Sequence, residues 1–138
     1  MSLFEKWRKL DFNEIFNKAA KSAFNKYKKV TIELNQAQLD KGLNRKGKKL
    51  SPYSDKYKKV RQKAGLQTSK KDLKFNGDFR RDFYSIAFDT FVEWGSKHRL
   101  ADILEGQYPN IYGIPKKDMP EFIEKYLIPE IKIMIKAA

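Results

Sequence analysis

The sequence predicts an α+β domain: a long N-terminal helix and a C-terminal helix packed on a small antiparallel β-sheet, with an extended basic arm or loop. Three observations predict it. Apolar residues recur at spacings of three and four near both ends of the chain. Over residues 73–95 that period gives way to alternation. Nearly all the excess charge lies in one block just before that change.

Residues 1–138 suit a single domain. With 41% hydrophobic and 14% aromatic residues, a modest core is possible. No apolar run approaches the roughly 20 residues that a membrane span needs. The opening MSLFEKWRKL puts charges where a signal peptide would be apolar. Zero cysteines exclude disulfides and thiolate metal sites, and fit an intracellular origin.

In chain order, residues 1–10 form a basic-aromatic lead-in with Phe4 and Trp7, a short helical turn or an arm. Asp11 and Glu14 then match a capping box. Phe12, Ile15, Phe16, Ala19, Ala23, Phe24 and Tyr27 make one apolar helix face, with Val30 and Leu34 continuing it to about residue 39. Gly42 ends this helix and Gly47 marks a loop. Ser51 and Pro52 read as cap and first position of a short, very basic helix. Its narrow apolar stripe is Tyr53, Tyr57 and Val60, and Gly65 ends it.

Residues 41–74 therefore read as a basic arm or loop with a short helix. Between residues 41 and 81 there are fifteen Lys/Arg against three Asp/Glu, a net +12 of the chain's +13. Such a block is either a solvated loop or the contact for an anionic partner. A segment so charged and so poor in apolar residues is expected to order fully only in an assembly.

Asn76-Gly77-Asp78 precedes Phe79 and Phe83, which predict one or two helical turns. Tyr84, Ile86 and Phe88 then alternate, Asp89-Thr90 turns, and 91–94 extends again as a hairpin. A lone hairpin is marginal in water, so it must pack on the long helix or gain strands from another copy. Leu100, Ile103 and Leu104 mark a short helix, and Ile111-Tyr112-Gly113-Ile114 a strand or docking loop. A second capping box, Asp118 and Glu121, opens the C-terminal helix with Phe122, Ile123, Tyr126 and Leu127. Pro129 should kink or interrupt it.

No catalytic, cofactor or metal constellation emerges. His98 is the only histidine and has no partners at ligand spacing. Asp78, Asp82 and Asp89 sit beside Arg80 and Arg81, which argues for ion pairs. Ser51, Ser54 and Ser85 lack a nucleophile elbow, and Gly42, Gly47, Gly65 and Gly77 form no phosphate-cradling loop.

The candidate contacts for nucleic acid or an acidic partner are Arg45, Lys46, Lys48, Lys49, Lys56, Lys58, Lys59, Arg61, Lys63, Lys70 and Lys71. Lysine predominates, which suits phosphate attraction better than base reading. Tyr53, Tyr57 and Phe75 interleave with them, either to stack on bases or to anchor the helix to its own core. Phe88, Phe91 and Trp94 on the hairpin are the candidate subunit contacts.

Asp40-Lys41-Gly42, Gly47, Leu50, Tyr53, Tyr57 and Gly65, followed by Leu73, Gly77, Asp78 and Phe79, form an ordered pattern. It resembles the small virion proteins of tailed phages known as tail-completion, head–tail joining or virion-morphogenesis proteins. The resemblance covers about residues 38–113, and its value lies in the order of short motifs. Ile111-Tyr112-Gly113-Ile114 before a C-terminal helix is similar to versions from phages of Bacteroidetes hosts. Asn76 stands where relatives often have Thr, and Ile114-Pro115-Lys116-Lys117 replaces the usual Pro- and Arg-rich close.

The resemblance implies a ring-forming, non-enzymatic component of the portal–tail junction or neck, made in the host cytoplasm and residing in the virion. Its partners would be other copies of itself, portal, connector or tail proteins, and packaged DNA, with no membrane. The alternative, from the charge alone, is a stand-alone, non-sequence-specific nucleic-acid-binding protein using segment 41–81.

Overall fold

The computed structural model describes residues 2–74 and 77–137. Phe75, Asn76 and the Trp7 side chain, singled out in the sequence, lie outside the described residues. The fold is α+β. Helix α1 (Leu3–Arg8) is capped by the Ser2 hydroxyl, which accepts the Glu5 N–H at 3.1 Å. Helices α2 (Phe12–Lys26) and α3 (Lys28–Asp40) form the N-terminal rod. Asp11 accepts the Glu14 N–H at 3.1 Å, as a cap must.

The rod breaks at one residue, Tyr27 (φ −108°, ψ 26°). Tyr27 N–H still reaches Ala23 O, and Thr31 N–H still reaches Tyr27 O, so the break bends the rod without ending it. Its apolar face is buried only from Ala19 onward. Phe12 and Phe16 stay 55% and 50% exposed.

The C-terminal helix lies along α2. It comprises α7 (Met119–Phe122), a wide turn (Ile123–Leu127) and α8 (Ile128–Ala137). Pro129 does not end it; the interruption expected there is a single wide turn just before it. Proline has no N–H to donate and crowds the preceding turn. The helix absorbs this by widening one turn, with Ile128 N–H bonded five residues back to Ile123 O. Ala19 and Ala23 let Leu127 approach closely, with Ile131 and Met134 beside them. Phe24 stacks on Phe122 at 5.2 Å, and Tyr27 meets Tyr126 at 4.4 Å.

A second core joins Leu39, Phe79, Phe83, Ala101 and Ile111. Phe79 lies on the short helix α5 (Asp78–Arg81), as the spacing predicted. The hairpin follows as β1 (Phe83–Ala87) and β2 (Val92–Ser96), antiparallel, with Phe83 opposite Ser96 and Ala87 opposite Val92. Phe88 N–H donates to Phe91 O at 2.8 Å, which closes the turn on Asp89-Thr90.

The hairpin turns its Phe83–Ser85 face inward, not the face of the alternating Ile86 and Phe88. Phe83 and Ser85 are buried, whereas Ile86 and Phe88 are 44% and 41% exposed. The reason lies in the partner surface. Trp94, opposite Ser85, donates Nε1–H to Thr31 Oγ1 at 3.1 Å and sets its ring edge-on to Phe24. That anchor puts the Ser85 side of the pleat against the rod.

Helix α6 (Ala101–Gln107) follows the hairpin. The strap 111–114 is a docked loop, with Ile111 and Ile114 almost fully buried. Asn35, itself buried, holds it with both amide atoms: Nδ2 donates to Ile111 O at 2.7 Å and Oδ1 accepts from Gly113 N at 2.9 Å. At Gly113 (φ 109°) a Cβ would lie 2.9 Å from Arg45 Cδ, so only glycine fits.

The basic segment is not an extended arm: it is clasped to this body. Helix α4 (Asp55–Lys63) starts three residues later than Ser51-Pro52 suggested, with Ser54 Oγ accepting the Tyr57 N–H at 3.2 Å. At Gly42 (φ 72°) a Cβ would meet Lys70 Cβ at 2.8 Å, so the two ends of the segment close on each other. Arg45 N–H bonds to Asn110 O, and Lys116 N–H bonds to Arg45 O.

Candidate functional site

The candidate site is the surface this clasp creates, together with the hairpin tip. Of the eleven cations singled out in the sequence, two are not on the surface. Arg61 is 1% exposed and Lys71 5%. Arg61 takes the place predicted for Val60, which is 45% exposed instead.

The reason is a hydrogen-bond network that an apolar side chain cannot make. Arg61 Nε donates to Gln67 O at 2.9 Å, Nη1 to Lys74 O at 2.9 Å and Nη2 to Asp72 at 3.4 Å. Its guanidinium also lies 4.4 Å from the centre of the Tyr53 ring. Tyr53 in turn donates to Asp72 at 3.2 Å. Burial, then the Asp72 charge, pushes the Tyr53 phenol up to about 12. Tyr53 is thus a core anchor, while Tyr57, edge-on to it at 5.2 Å, keeps a partly open ring.

The remaining nine face outward to different degrees. Lys56, Lys59 and Lys63 recur at three and four along the open side of α4, with Lys58 half-buried beside them. Lys46, Lys48 and Lys49 project from a tight turn held by Asn44, whose Oδ1 accepts from Lys46 N and Lys48 N at 2.9 and 3.0 Å. Lys70 is exposed and Arg45 half-buried.

Sequence reasoning missed three cations that tertiary structure adds. Lys41, Lys116 and Lys117 join Arg45 and Lys46 around a cavity of about 540 Å³. The Lys117 ammonium beside Lys41 pushes the Lys41 amine below its ordinary value. The adjacent pair Lys116-Lys117 was the only signal in the sequence, and nothing there placed it next to residue 45.

At the hairpin tip, Phe88 and Phe91 stack at 4.6 Å and are 41% and 60% exposed. With Phe16, Phe24, Met119 and Ile123 they line an apolar groove of about 270 Å³. Lys21 holds the turn through Asp89 at 2.8 Å, which keeps the Asp89 carboxyl below its ordinary value. Trp94 leaves the set of subunit contacts, because its indole is spent on Thr31 and Phe24.

The other chemistry-bearing residues are ordinary here. Asp78 pairs with Arg81 at 2.9 Å, while Arg80 turns inward to Asp40 at 2.6 Å and Gln36 O at 2.8 Å. His98 Nδ1 accepts the Leu100 N–H at 3.2 Å. Among the described residues no group of three His, Cys, Asp or Glu side chains is placed to hold a metal ion. No helix among them is long and apolar enough to cross a membrane. Compared with protein-family models, curated proteins and solved structures, the chain matches none.

Proposed function

We propose that this chain is a non-enzymatic structural component of a tailed-phage virion, assembling as a ring at the portal–tail junction. In this reading it contacts neighbouring head, connector or tail proteins, and its lysine surface faces packaged DNA or an acidic neighbour. The ordered motif pattern over residues 38–113 supports the family part of this reading. The observation that carries the assembly is the exposed Phe88–Phe91 stack beside an apolar groove, on a sheet that has only two strands among the described residues. Such a tip gives a second copy both a strand edge and an apolar seat.

Size-exclusion chromatography with light scattering tests it on the full chain, alone and mixed with candidate portal and tail proteins. A closed oligomer or a partner-dependent complex is expected, and Phe88→Ser with Phe91→Ser should abolish it while leaving the helical signal intact. A monomer under every condition would overturn the reading.

A second reading has its own support in the exposed lysines of α4 and in Lys41, Arg45 and Lys46, which gather with Lys116 and Lys117 around one cavity. In it the protein binds nucleic acid alone and without sequence preference. Tight binding by a monomer, weakening steeply as salt rises, would favour it.

A further inference from the structure

A cleft of about 820 Å³ opens between α4, the stretch 71–74 and α6. Its walls carry Tyr53, Tyr57, Lys71, Lys74, Arg99 and Tyr108. Lys71 decides its chemistry. Its ammonium is buried, donates to the Tyr108 hydroxyl, and lies 4.1 Å from the Tyr108 ring centre and 5.0 Å from that of Tyr53.

No carboxylate pairs with Lys71 among the described residues. The adjacent Asp72 is already engaged, one oxygen by Tyr53, Arg61 and the Lys74 N–H, the other by Gln67. A buried ammonium without a counter-charge is costly, and an anion entering the cleft offsets that cost. Lys74 and Arg99 add two exposed cations, and the one wall carboxylate, Asp78, is paired with Arg81.

Two further features belong to this cleft. Tyr57 is 36% exposed and held edge-on by Tyr53, so a flat surface stands at the rim. Leu73, a wall residue, has φ 57°, a conformation leucine rarely adopts and one that gathers at ligand sites.

We propose that this cleft binds a nucleotide unit, with the base on the Tyr57 ring and the phosphate among Lys71, Lys74 and Arg99. The volume suits a ligand of that size, and every base offers a face for stacking. An acidic side chain would satisfy the cations and leave the Tyr57 ring uncovered. The unit has two sources, a free nucleotide or a nucleotide within a single strand. The inference is independent of the ring assembly: a chain that forms no ring can still bind a nucleotide.

Calorimetric titration of the full chain tests it with deoxyadenosine monophosphate, deoxyadenosine, inorganic phosphate and an oligodeoxyadenylate. The monophosphate should bind at least about tenfold more tightly than the nucleoside or phosphate alone. Tyr57→Ala should weaken it by about tenfold, and Arg99→Gln should weaken it too. Both positions are exposed enough to spare the fold, whereas Lys71→Met carries the risk of unfolding. Tight binding of the oligomer that both rim variants weaken, without measurable mononucleotide binding, assigns the strand as the source and supports the proposal. Three results would overturn it: no binding of either ligand, equal binding of phosphate and monophosphate, or binding that ignores both rim variants. Displacement by a polyglutamate peptide at equal affinity would also overturn it, making the cleft a seat for acidic protein.

Discussion

Arg61→Met is expected to loosen α4 from the 67–74 stretch within the basic segment. The guanidinium is buried and makes three hydrogen bonds, to Gln67 O, Lys74 O and Asp72, besides its contact with the Tyr53 ring. Methionine keeps much of the aliphatic volume and removes all three donors. Two carbonyls and a carboxylate then lose a charged partner in a partly buried place. Hydrogen bonds to charged groups contribute about 1.5–3 kcal/mol each. They act here as one unit, and Asp72 keeps Tyr53 and Gln67, so the three do not add. Removing one partner of a buried pair typically costs about 3–5 kcal/mol, and this is the expected loss.

Urea unfolding reads it directly. With an m-value of about 2 kcal/mol/M, the midpoint should fall by about 1.5–2.5 M. Lys63→Met, on the open side of the same helix, should stay within about 0.5 kcal/mol of the parent. Hydrogen exchange should show the Leu66 N–H, bonded to Arg61 O at 2.9 Å, protected in the parent and released in the variant. A loss under about 1 kcal/mol with an unchanged m-value would refute the claim that this network orders the 61–74 stretch.

Two more predictions follow from the core. Phe79→Ala or Phe83→Ala should each cost about 3–5 kcal/mol, because both rings are buried against Leu39 and Ile111; a loss well under 1 kcal/mol on that scale would make this stretch an interface instead. Tyr53 and Tyr112 should titrate late, both pushed from 10.0 to about 12, chiefly by burial. The folded state then holds more protons than the unfolded one between about pH 10 and 12. The contribution is therefore intact below pH 10 and lost as pH rises through about 12. Phenolate absorbance and the urea midpoint across that window check it. All seven tyrosines ionising together near the unperturbed value of about 10, with a flat midpoint, would contradict it.

The outline of this protein was legible in its residues. Spacings of three and four marked α2 and the C-terminal helix, Asp11 marked a helix start, and the shift to alternation placed the hairpin within a residue or two of where it lies. These signals are local, because a helix turn or a strand pleat repeats within a few residues. The charge block was equally plain, since like charges need no fold to be counted.

Tertiary structure alone decided which residues went inside. Asn35, Arg61 and Lys71 are polar and carry no periodic signal, yet each is buried because distant partners complete its hydrogen bonds: the 111–113 strap, the 67–74 stretch and Tyr108. The hairpin face was set by Trp94 finding Thr31, sixty-three residues earlier in the chain. Lys41 and Lys117 became neighbours only when residue 45 was stitched between residues 110 and 116. A buried polar group is tolerable only where its partners are already in place, and those partners come together by folding, not by position along the chain.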